Sequence, residues 1–197
     1  MALTKEMLEE AVTPTEQDKE ALELLKLVIE ANPKNSGEKL EIVAAKIAVV
    51  DVTNSTQLHK GRKKLSLYKF AEIISGIGEL DDLIKAGDPK AVTKIVEKVK
   101  GLNYTPFSLA TKYCCYHNRF AYKRNDFSII DSTVIGWLVE DYFADDTEKQ
   151  EEILQHRAIC DYEWLYECIG QVISENNLDD LPAVRTKLDA YIYFNNR

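Results

Sequence analysis

The chain has 197 residues, 45% hydrophobic and 29% charged, enough apolar material to bury one core without disulfide staples. Its net charge of −8 excludes a generally basic nucleic-acid-binding protein, so a phosphate-binding face would have to be a local patch. No apolar run reaches the roughly 18 residues of a membrane span, and Met1-Ala2-Leu3-Thr4-Lys5-Glu6 lacks the apolar stretch of a signal peptide.

Thr15-Glu16-Gln17-Asp18 opens the first strong helical pattern, a hydroxyl cap followed by acids. Leu22, Leu25, Val28 and Ile29 continue it until Asn32-Pro33 stops the run. A second helix follows Ser36, with Leu40, Val43, Ala44 and Ile47 on one face. Asp51 to Lys64 loses periodicity and reads as a loop carrying the basic cluster Lys60, Arg62, Lys63 and Lys64. Ser66 opens the next helix, which ends at Gly76-Ile77-Gly78, and a short helix from Glu79 to Ala86 stops at Gly87.

Asp88-Pro89 pairs a strong N-cap with a residue preorganised for the first helical position, and Val92, Ile95, Val96 and Val99 follow at helical spacing up to Gly101. Thr105-Pro106 repeats that arrangement ahead of a helix carrying Leu109, Lys112, Tyr113 and Tyr116. Of the adjacent Cys114 and Cys115, only one is expected to face inward. Asp131-Ser132-Thr133 starts another helix, Asp145 to Glu152 reads as an acidic, solvated stretch, and two helices fit Asp161 to Glu175 and Pro182 to Phe194. No strand-period segment competes. The expectation is an all-α fold, a compact multi-helix domain spanning 1–197, soluble and cytoplasmic, with its four cysteines as reduced thiols.

Chemistry concentrates on Lys112 and Asp131. A lysine attacks only as a neutral amine, which a partly apolar site favours. A neighbouring carboxylate can take the proton and offset positive charge on a reacting sugar. The aromatics Tyr113, Tyr116, Phe120, Tyr122 and Phe127 lie close enough in sequence to stack on an extruded base, although such density also suits a core.

The stretch Pro106-Phe107-Ser108-Leu109-Ala110-Thr111-Lys112, followed by Ile129-Ile130-Asp131-Ser132-Thr133-Val134, resembles the helix-hairpin-helix DNA glycosylases, above all their 8-oxoguanine branch. The similarity is strongest over residues 104–138, with a weaker likeness at Leu188-Asp189-Ala190-Tyr191. It implies Lys112 as nucleophile on the sugar C1′ of a flipped nucleotide and Asp131 as its acidic partner. The implied ligand is double-stranded DNA holding a damaged base, and no cofactor is implied, because the iron–sulfur cysteine loop of one branch is missing. Ser108 and Ala110 stand where the family's hairpin has glycines that let backbone amides approach a phosphate, and neither adopts positive φ as readily. Lys60, Arg62, Lys63, Lys64, Arg119 and Lys123 complete the expected DNA contacts. No metal is expected, since Cys114, Cys115 and His117 lack a second ligand cluster. The alternative is a non-catalytic nucleic-acid- or protein-interaction module on the same helical scaffold.

Overall fold

A computed structural model of the chain describes residues 2–10, 16–54, 65–100 and 105–195. The described residues form eleven α-helices and one π-helical turn, with no strand. In chain order they are α1 (Lys5–Glu10), α2 (Glu16–Ala31), α3 (Leu40–Thr53), α4 (Leu67–Ser75), α5 (Leu80–Ala86) and α6 (Lys90–Val99). Then come α7 (Phe107–Tyr122), α8 (Ser132–Trp137), α9 (Thr147–Ala158), α10 (Tyr162–Glu175) and α11 (Val184–Asn195). The π turn, Leu138–Tyr142, continues α8. No described helix is long and apolar enough to cross a membrane.

α7 is the central helix. It packs against α2, α3, α5 and α6, and every residue from Leu109 to Asn118 is buried. A helix enclosed on all sides has no solvent stripe, so Cys114 and Cys115 both face the interior, contrary to the expectation for adjacent residues. Desolvation pushes both thiols up, Cys115 to about 12. All four cysteines are free.

Local signals set most of the remaining boundaries. Ser66 accepts from Lys69 N at 3.1 Å, Asp131 caps α8, and Asp161 accepts from Trp164 N at 3.2 Å. At Asp88-Pro89 the Asp88 carboxylate accepts from Lys90 N at 2.9 Å. α6 then buries Ala91, Val92, Ile95, Val96 and Val99, each large aliphatic contributing about 1.5–3 kcal/mol. Gly87 ends α5 in the left-handed region at φ 75°, where a Cβ would sit 2.6 Å from Asp126 Cγ. No side chain larger than glycine fits there.

Two expectations, at Thr105 and at the end of α3, differ from the structure. Thr105 makes no side-chain cap for α7; Pro106 occupies the cap position, and the Thr105 carbonyl accepts from Phe107 N at 2.9 Å. The acidic stretch at 145–152 is mostly exposed, as expected, and it also forms the first turns of α9: Asp146 accepts from Lys149 N at 2.9 Å, and the helix buries Ile153. α3 runs on to Thr53, into the segment read as aperiodic.

Candidate functional site

The site forms around three consecutive residues ahead of α8, each fixed by a different part of the chain. Ile129 N donates to Asp189 Oδ2 of α11 at 3.1 Å. Ile130 N donates to Thr111 Oγ1 of α7 at 3.2 Å. Asp131 then caps α8, its Oδ1 accepting from Thr133 N at 3.0 Å and Val134 N at 3.2 Å. With one oxygen held at the helix start, the other turns toward α7 and meets Lys112 Nζ at 2.9 Å. The sequence therefore brings its two chemical candidates together through Thr111, the residue just before the lysine.

The pair lies in a cavity of about 570 Å³, within the roughly 300–1,000 Å³ of small-molecule sites. Ser108, Tyr116 and Arg119 of α7, Asn54 beyond α3, Arg157 of α9 and Asp189 of α11 contribute to its wall. The Lys112 side chain is 11% exposed and that of Asp131 18%, so the contact is sheltered yet reachable. Sheltering strengthens the attraction, because fewer water dipoles screen it.

Two arginines bring further positive charge. Arg119 donates through Nη2 to Thr186 Oγ1 at 2.8 Å, and its buried Nε has no partner among the described residues. Arg157 rests over the Phe107 ring at 4.8 Å. Among the described residues neither forms an ion pair with a carboxylate. Tyr116, whose hydroxyl donates to Asn54 Oδ1 at 2.9 Å, stacks on Phe120 and gives the wall an aromatic face.

The remaining expected site residues are scattered. Ser108 is on the cavity wall, in the first turn of α7. Ala110 is a correction: it is 1% exposed and its N–H is bonded to Pro106 O at 2.9 Å, so neither its side chain nor its amide can meet a phosphate. Residues 107–110 are helix, not hairpin. Lys123, exposed at the C-cap of α7, pairs with Glu30 of α2 and is not part of the cavity wall. Lys60, Arg62, Lys63 and Lys64 fall outside the described residues.

Of the five aromatics, only Tyr116 lines the cavity. Tyr113 and Tyr122 turn toward Asn35 and Pro33, and Phe127 packs on Tyr162. Residue spacing did not single out Asp189, Thr186, Arg157, Tyr193 and Phe194, which α9 and α11 bring to the same wall. Only the likeness at Leu188-Asp189-Ala190-Tyr191 pointed there. Among the described residues no group of three His, Cys, Asp or Glu side chains could hold a metal ion.

The pattern that defines HI_0787_N, described as an N-terminal domain, matches residues 3–122, more than half of the chain. The chain belongs to the HI_0787_N family. The HI_0787_N match takes in Lys112, Tyr116 and Arg119 but ends before Asp131 and Asp189. No curated protein and no solved structure matches the chain.

Proposed function

We propose that the cavity is the active site of a DNA glycosylase that removes a damaged base such as 8-oxoguanine, with Lys112 as nucleophile and Asp131 as its assisting carboxylate. The observation that carries this reading is the 2.9 Å contact between Lys112 Nζ and Asp131 Oδ2 in the wall of a cavity of about 570 Å³. Passing a proton along that contact leaves a neutral amine able to attack C1′ of a nucleotide turned into the cavity. Asp131, anchored by two backbone amides, cannot swing away. The Tyr116 face suits a planar base, and Arg119 and Arg157 suit a phosphodiester despite the chain's negative balance. The resemblance over residues 104–138 supports the same assignment.

A second reading, a non-catalytic interaction module on this scaffold, draws on a specific observation. Residues 107–110 are helical and Ala110 is buried, which removes the hairpin amides that would grip a phosphate. Borohydride trapping separates the two. With a duplex bearing 8-oxoguanine or an abasic site, the glycosylase gives a covalent adduct that Lys112→Gln abolishes. No adduct with either duplex leaves the binding module.

A further inference from the structure

Asp189 is the one acidic side chain that shares the cavity wall with Asp131. The two carboxyl groups sit in opposite surroundings. Asp131 faces an ammonium at 2.9 Å and two cap amides. Asp189 receives a single backbone N–H, from Ile129 at 3.1 Å, and forms no ion pair among the described residues. Arg119, the nearest cation on α7, directs its Nη2 to Thr186 instead, and Arg185 directs its Nη1 to Ser128 Oγ and Tyr166 O.

A carboxyl half-buried in the cavity wall, with one backbone donor and no bonded cation, is costly to ionise. Burial is the main cause that pushes Asp189 up to about 8; the Ile129 amide and Arg119 pull it down, and Asp131 adds repulsion. The other groups facing it are Cys115 and Tyr116 of α7, Tyr162 of α10 and Arg185 of its own helix. From α1 the charge meeting α11 is Glu9, which takes Lys187 at 3.5 Å.

The hydrogen-bond pattern also distinguishes the two oxygens. Oδ2 accepts from Ile129 N, so it is the carbonyl-type oxygen. A proton taken up by this carboxyl goes to Oδ1, which has no partner among the described residues and is not an enclosed orphan atom. In a side chain that lines the cavity, such an oxygen faces the hollow.

We propose that Asp189 is the proton donor of this cavity: its Oδ1–H bonds an acceptor atom of the bound heterocycle and passes its proton to the departing base. This rests on the glycosylase reading. Lys112 gives one proton to Asp131 and forms the Nζ–C1′ bond while the C1′–N glycosidic bond breaks. The bonding pair leaves on the base, which takes the Asp189 proton and departs neutral. The resulting Asp189 carboxylate is balanced by the new cationic amine and by the nearby arginines. Two carboxyl groups held at opposite protonation within one site can divide acid and base work in this way.

The test separates base loss from imine formation. Asp189→Asn can still accept from Ile129 N and still offers an N–H to the cavity, but it has no transferable proton. It is expected to slow release of 8-oxoguanine from a duplex by roughly 100-fold or more, while trapping on an abasic duplex, which has no base to expel, is unchanged. Equal base release by the variant and the wild type overturns the proposal. Should the variant fail to fold, the wild-type pH profile decides: base release falling as pH rises through about 8, with abasic trapping unaffected, is expected. A flat profile overturns it. Carbon-13 titration of the Asp189 carboxyl needs no activity at all, and a midpoint in the ordinary aspartate range also overturns it. Absence of abasic trapping by the wild type instead removes the Lys112 reading, and the transfer step falls with it.

Discussion

The two sides of α7 bury charge under opposite rules. On one side Lys112 meets Asp131 in the wall of an open hollow. On the other, Lys46 of α3 is fully buried and donates to Asn32 O at 3.0 Å, Lys34 O at 2.5 Å and Asn35 Oδ1 at 2.8 Å. Asn35 also accepts from Tyr113 Oη at 2.6 Å and donates to Asp81 at 2.8 Å, while His117 Nε2 donates to Pro33 O at 2.7 Å. Three acceptors occupy the Lys46 ammonium and no room is left for a ligand, so that network fastens the α2–α3 turn to the central helix. The Lys112 amine has one carboxylate and free space beside it. Of two sheltered lysines in one core, only the one with unfilled surroundings is placed to do chemistry on something else.

The strongest way to break this contrast is Asn35→Ala. It strips an acceptor from the buried ammonium and from Tyr113, and is expected to lower stability by about 3 kcal/mol. Urea unfolding that shows no loss would mean the closed network is not a fastening.

A subtler separation comes from pH. Desolvation holds Lys46 down at about 8, against an ordinary 10.5. Between those values the unfolded chain binds more protons, so this group makes stability rise with pH from about 8 to 10.5. His117, lowered by burial from 6.5 to about 4, slopes the same way over its own range. Asp189 runs in reverse. Raised from 3.8 to about 8, it holds a proton that the unfolded chain has lost, so its contribution is complete below the unfolded value and disappears as pH climbs to about 8. The wild type should therefore lose stability relative to Asp189→Asn as pH rises from about 4 to 8, and the alkaline rise belonging to Lys46 should persist in both. A difference that stays constant would place an ionised carboxylate at position 189.

The smallest effect is expected at the open site itself. Lys112→Met keeps the side-chain volume and leaves Asp131 its two cap amides and partial solvent access, so unfolding stability should fall by only about 1 kcal/mol. A loss comparable to that of Asn35→Ala would make the two sides of α7 alike.

How far the sequence revealed this follows from which signals are local. Asp131 was readable because an N-cap depends on residues two and three positions away, and Asp-Ser-Thr ahead of an apolar run is such a pattern. Lys112 stood out against its apolar flanks. Missed were the short α1 and also α9, whose acidic first turns read as solvent-exposed chain although one cap and Ile153 suffice to dock it. Asp189 has the spacing of any surface acid on a helix, and its place in the cavity wall comes from residues far away in sequence, Ile129 above all. The cysteine pair misled because one-face periodicity holds only for a helix with a wet side. The closed network was faintly visible, since Lys46 interrupts an otherwise apolar run from Ile42 to Val50 that leaves little space for a solvent stripe.

The pinning of residues 129–131 divides the site between two portions of the chain. The stretch shared with HI_0787_N supplies the amine and Thr111 but neither carboxyl. A polypeptide ending at Tyr122 would display a lysine with nothing to take its proton and a hollow missing one wall. The hollow is therefore built by both portions of the chain, the later one folding back onto α7. The two portions are mechanically coupled, because shifting α11 would drag the Ile129 amide and unseat Asp131.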